Sequence, residues 1–121
     1  LPVSTTRIAV SLRGMRFHTL IGILPHEREL PQPLEVDLTV WTMGNARLDY
    51  RVLHDLTANV VARGAGYLED LAEELASDVF ALGGVSRVEI VARKPHVALP
   101  GPLECAEIRL ERTAVVLDSH T

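Results

Sequence analysis

Cysteine occurs once in the 121 residues, as Cys105. No disulfide can close within the chain, and a reducing compartment is implied. Aromatic residues are scarce at 4%, against 47% hydrophobic residues in all, so a core must come from Val, Leu, Ile and Ala. Basic residues are outnumbered: 12 Lys and Arg against 16 Asp and Glu leave a net charge of −4. Phosphate backbones are gripped by basic faces, so this balance argues against a nucleic-acid partner. No apolar run approaches the ~20 residues that span a bilayer. The opening stretch Leu1-Pro2-Val3-Ser4-Thr5-Thr6 lacks the basic and hydrophobic blocks of an export signal. The expectation is a cytoplasmic protein with no membrane partner. His18, His26, His54, His96 and His120 show no HxH, HxxxH or HExxH spacing, and no second cysteine joins them, so no metal site is expected. A phosphate-cradling glycine motif and a meaningful Ser-His-Asp order are missing too.

What remains is enough for one compact domain. Residues 7–112 carry the periodic patterns, and 1–6 and 113–121 read as loose ends. Ile8, Val10 and Leu12 alternate with smaller or polar residues. Gly14 interrupts, and Met15, Phe17 and Thr19 resume the pattern. A glycine there predicts a bulge or a tight hairpin. Pro25, Pro31 and Pro33 mark residues 23–33 as a loop, with one short helical turn at His26–Leu30. Leu34, Val36, Leu38 and Val40 alternate with Glu35, Asp37 and Thr39, which predicts a half-buried strand. Asp49 can cap a helix beginning at Tyr50, with Val52, Leu53, Leu56, Val60 and Val61 on its apolar face. A second helix is expected from Leu68 to Leu82, stopped by Gly83-Gly84. Val85–Lys94 and Leu103–Arg112 read as further strands. The order β-β-α-α-β-β predicts an α+β fold: an antiparallel four-stranded sheet with two helices packed on one face. Such a sheet leaves edge strands open, and a ring of subunits joined edge to edge covers them.

Few side chains in this frame can carry chemistry. Glu69 lies in the first turn of the second helix, at the border of its apolar arc. The helix N-terminus favours an ionised carboxylate there. It reads as a rim or capping residue, or as an acceptor for two parallel N–H donors of an amidine-like ligand edge. Lys94 ends a strand beside a loop framed by proline and glycine. Most lysines are solvated, and one that exchanges protons near neutral pH needs desolvation or a nearby cation. Glu27 sits in a charged loop between prolines, and Tyr50 opens a helix where aromatic packing is an equal reading.

Taken together and in order, these segments resemble the dihydroneopterin aldolase family. The resemblance rests on Arg7–Gly14 followed by Met15-Arg16-Phe17-His18, and on Ile21-Gly22-Ile23-Leu24-Pro25-His26-Glu27-Arg28-Glu29-Leu30 followed by Gln32-Pro33. Leu48-Asp49-Tyr50, Leu68-Glu69-Asp70-Leu71-Ala72-Glu73, and Lys94-Pro95 with Leu99-Pro100-Gly101 complete it. It implies the T-fold, whose subunits join sheets into a barrel and stack two tetramers into an octamer, with sites between subunits. It implies retro-aldol cleavage of 7,8-dihydroneopterin without cofactor, metal or Schiff base. Glu69 would bind the pterin 2-amino group and ring N–H, with Leu68, Leu48 and Asp49 along the remaining substrate contacts. Lys94 would be the main acid/base group, Glu27 would order water or hold the lysine, and Tyr50 would act at the reacting side chain from a neighbouring subunit. The family also suggests two alternatives: a 2′-epimerase of dihydroneopterin or its triphosphate, and a non-catalytic pterin-binding protein. Trp41–Asp49 is several residues shorter than is usual in the family, and Pro31 stands where a glycine is usual.

Overall fold

Alternation of apolar and polar residues builds the sheet. In the computed structural model, which describes residues 2–97 and 99–115, four strands run antiparallel in the order β1-β2-β3-β4. They are β1 (Ala9–Thr19), β2 (Gln32–Thr42), β3 (Val85–Lys94) and β4 (Ala106–Thr113). The helices are α1 (Pro25–Glu29), α2 (Tyr50–Arg63) and α3 (Leu68–Phe80). The fold is therefore α+β with a four-stranded antiparallel sheet, and the short helical turn expected in the proline-rich loop is present as α1.

Gly14 resolves as a bulge rather than a hairpin. Leu12 pairs with Leu38 but Met15 pairs with Val36, so β1 holds one extra residue. Gly14 takes φ +71°, which glycine adopts without steric cost, and its N–H donates to Asp37 Oδ1 at 2.7 Å. Beyond the bulge the inward set resumes, and β1 remains one strand.

The helices cover one sheet face, α2 over β1 and α3 over β3 and β4. Leu34, Val36, Leu38 and Val40 of β2 and Val88, Ile90 and Ala92 of β3 meet Leu53, Val60, Leu71, Leu75 and Val79 of the helices. All are almost wholly buried. On α2 the buried stripe is Leu53, Thr57, Val60 and Val61, whereas Val52 is 44% exposed. Thr57 joins the core because its hydroxyl donates to the Leu53 carbonyl at 2.8 Å, satisfying the one polar group it buries.

Boundaries differ from expectation at several points: α1 spans Pro25–Glu29 rather than His26–Leu30, and β2 opens at Gln32, inside the expected 23–33 loop. α3 stops at Phe80, two residues early, and Ala81–Gly84 form the turn. β4 begins at Ala106, not Leu103, because its ladder opens where Lys94 meets Ala106 and β3 has no residue left to pair with Leu103–Cys105. It ends at Thr113, opposite Arg87, so Thr113 belongs to the sheet and not to the tail. Of the rest of the expected tail, the Ala114 N–H still donates to the Ser86 carbonyl at 2.8 Å, and 116–121 lies outside the described residues. Among the described residues no helix is long and apolar enough to cross a membrane.

Candidate active site

Strand alternation sets Lys94 on the helix-facing side, one step past Val88, Ile90 and Ala92. Its ammonium therefore emerges at the rim of the core, where α1 presents Glu27. The two form an ion pair, 67 residues apart in sequence, with each side chain 11% exposed. The Leu24 N–H adds a bond to Glu27 Oε1 at 3.3 Å. The hydrogen bond from Lys94 is the main cause holding the Glu27 carboxyl below its ordinary 4.5; burial opposes it and the Leu24 N–H supports it. Lys94 is buried. Its immediate neighbour is a carboxylate and not a cation.

The N-terminus of α3 lines the same cleft. Leu68 is buried and Glu69 exposed, and among the described residues no side chain caps this helix end. The loop before α3 is tied to the end of β1 by a bridge between Ile21 and Ala65, with Gly22 N–H donating to the Ala65 carbonyl at 3.1 Å and Ala65 N–H to the Leu20 carbonyl at 3.1 Å. Glu27, Leu68, Glu69 and Lys94 thus line one cleft of about 250 Å³, with Gly22 and Glu107. Sequence reasoning missed both of those. Glu107 reaches the rim because β4 starts one residue earlier, and its carboxylate accepts from Arg93 Nε at 2.8 Å. No motif marks that position.

Leu48, Asp49 and Tyr50 lie elsewhere. They line a larger cavity of about 750 Å³ with Ile8 and Val10, at the other end of the strands, and share no lining residue with the first cleft. Tyr50 is 64% exposed. The Asp49 carboxylate accepts the Arg51 N–H at 2.8 Å and pairs with the Arg51 guanidinium at 3.2 Å. It caps α2 as expected, and the turn it closes already engages its oxygens. The short connection after β2 is fixed by Met43 N–H to the Gly84 carbonyl at 2.8 Å and Ala46 N–H to the Met43 carbonyl at 3.0 Å. Among the described residues no three His, Cys, Asp or Glu side chains gather as metal ligands.

A buried lysine–carboxylate pair facing a helix-mouth carboxylate is a geometry several chemistries could use. The decision comes from comparison: the family model for FolB, dihydroneopterin aldolase, matches residues 10–111. The chain belongs to the dihydroneopterin aldolase family. That match contains every residue of both cavities discussed above except Ile8. Among solved structures, FolB from Vibrio cholerae aligns at a TM-score of 0.79 and 23% identity, over 91% of this chain and 100% of that one. The Escherichia coli dihydroneopterin aldolase in complex with neopterin aligns at 0.78 and 21%, over 87% and 98%. The dihydroneopterin aldolase from Burkholderia thailendensis bound to guanine aligns at 0.73 and 20%, over 89% and 92%. At these identities the structures establish a shared fold.

Proposed function

We propose that this chain cleaves the side chain of 7,8-dihydroneopterin by a retro-aldol reaction, giving 6-hydroxymethyl-7,8-dihydropterin and glycolaldehyde. The observation that carries the reading is the single cleft that holds Glu69, Lys94 and Glu27. Glu69 is the anchor. Neopterin and guanine, the ligands of two structures of this fold, present the same edge of 2-amino group and ring N–H, which a carboxylate accepts through two parallel bonds. Leu68 contributes its backbone beside the anchor.

The reaction needs a base for the 2′-hydroxyl, an electron sink and an acid. Lys94, reacting as the free amine, takes the hydroxyl proton through a water held by Glu27 and becomes the ammonium. The C1′–C2′ bond breaks, its electrons enter the ring C=N bond, and glycolaldehyde departs. Protonation of the enamine at C1′ by Lys94, with Tyr50 as proton partner, completes the product and restores both groups. The ring supplies the sink, so the sequence of steps uses neither metal nor Schiff base. Proton transfer by a positioned group contributes on the order of 10²–10⁴-fold, and orientation contributes the remainder.

Leu48, Asp49 and Tyr50 complete the site from a neighbouring subunit. Two features support this. The first cleft, about 250 Å³, falls short of the ~300–1,000 Å³ usual for small-molecule sites. Among the described residues the outer edges of β1 and β4 pair with no further strand and are open to further copies. Edge-to-edge pairing gives a barrel, and stacking two tetrameric rings gives an octamer. Mass-resolved analysis after incubation with 7,8-dihydroneopterin tests the reaction. Two products of lower mass are expected. A product of unchanged mass marks epimerisation at C2′ and overturns the aldolase reading.

A further inference from the structure

We infer that Gly22 is a positioning residue: the absence of a side chain there makes the seat in which the Glu27 carboxylate meets Lys94. The backbone at Gly22 has φ +128°, a conformation that L side chains rarely adopt. A Cβ built on it would overlap the carboxyl carbon and both carboxyl oxygens of Glu27. The glycine cannot retreat. Its N–H is bound to the Ala65 carbonyl and its neighbour Ile21, 1% exposed, is fixed in the core. Glu27 cannot move without loss either, because the same carboxylate accepts from Lys94 and from the Leu24 N–H. One glycine therefore links the loop between α2 and α3 to the charge that steadies the lysine. A side chain at position 22 swings the carboxylate out of its seat and leaves Lys94 without its partner, while Glu69 is not among the atoms it would meet.

The inference rests on Lys94 as the proton-transfer group, and its test has an arm that does not. Gly22→Ala, Glu27→Ala and the double variant form a thermal-melting cycle, with Gly83→Ala as the control for backbone alone. Gly83 also has positive φ, +82°, but a Cβ there meets nothing within 4 Å. Gly22→Ala is expected to lower the melting temperature more in the native background than beside Glu27→Ala, where the space is free. Gly83→Ala is expected to lower it equally in both. In turnover, Gly22→Ala should reduce kcat by roughly 10- to 100-fold with the Kd for neopterin unchanged. Added to Glu27→Ala, it should change kcat by less than about twofold. Equal melting losses in both backgrounds, or a full further loss of kcat in the double variant, overturn the inference. If Gly22→Ala alone fails to fold, the double variant is expected to fold; its failure, where Glu27→Ala folds, overturns the inference as well. A chain inactive on 7,8-dihydroneopterin refutes the aldolase reading, and the melting cycle still decides on the seat.

Discussion

Replacing Lys94 by methionine keeps the aliphatic stem and removes the charge. Glu27, 8% exposed, is then left with the Leu24 N–H alone. Removing one partner of a buried pair costs ~3–5 kcal/mol, because the survivor is an uncompensated buried charge. Both side chains keep a narrow path to solvent, so the lower end, ~3 kcal/mol, applies. At ~4 °C per kcal/mol for a domain of this size, the melting temperature falls by about 12 °C. The double variant Lys94→Met, Glu27→Gln recovers most of the loss, since neither charge remains. The pH dependence has a definite sign. The Glu27 pKa is lowered in the folded state, so the pair's contribution is complete above the ordinary 4.5 and is lost as pH falls through the folded value. The gap between native and Lys94→Met protein therefore narrows toward acidic pH, as the unpaired buried carboxylate of the variant takes up a proton and then the native pair is lost. Scanning calorimetry from neutral to acidic pH at fixed protein concentration measures it, since subunit association also shifts melting. A Lys94→Met protein that melts with the native one, or a gap that ignores pH, refutes the reasoning.

Other substitutions separate binding, assembly and packing. Glu69→Ala removes a charged acceptor contributing ~1.5–3 kcal/mol, so the Kd for neopterin should rise roughly 10- to 100-fold; unchanged affinity in a calorimetric titration rejects Glu69 as the anchor. Inactive Lys94→Ala and Tyr50→Phe subunits, unfolded and refolded together, should regain turnover in mixed oligomers, because some sites then receive an intact residue from each partner. Mixtures as inactive as the parents place both groups in one subunit. Leu75→Ala, in the middle of the wholly buried stripe of α3, should destabilise by ~2–5 kcal/mol in denaturant unfolding; a loss below ~1 kcal/mol contradicts the core assignment.

Much of the architecture was legible because local rules and burial agree. The alternation at Leu34–Val40, the Asp49 cap and the glycine interruption in β1 each correspond to an observed feature. Legibility failed where a partner outside the window decides. The start of β4 depends on where β3 ends, which Leu103–Cys105 do not reveal. Thr57 replaces Val52 in the core because an i−4 hydrogen bond cancels the cost of its hydroxyl, and residue type alone favours the valine. In the site, a lysine at a strand end and a glutamate between prolines were visible as candidates. Their pairing was expected only as one alternative implied by family resemblance, because it spans 67 residues and depends on the side chain that Gly22 lacks. The separation of Tyr50 from Lys94 within one protomer was likewise expected only through family resemblance, since spacing carries no information about a neighbouring subunit.

The most direct measurement is the rate of glycolaldehyde release from 7,8-dihydroneopterin in chelator-treated buffer, for the native chain and for Lys94→Ala. The proposed chemistry predicts stoichiometric glycolaldehyde from the native chain, a rate lower by on the order of 10²–10⁴-fold in the variant, and neopterin binding retained in both. Release by Lys94→Ala at the native rate, or activity that returns only when a metal is added back, contradicts it.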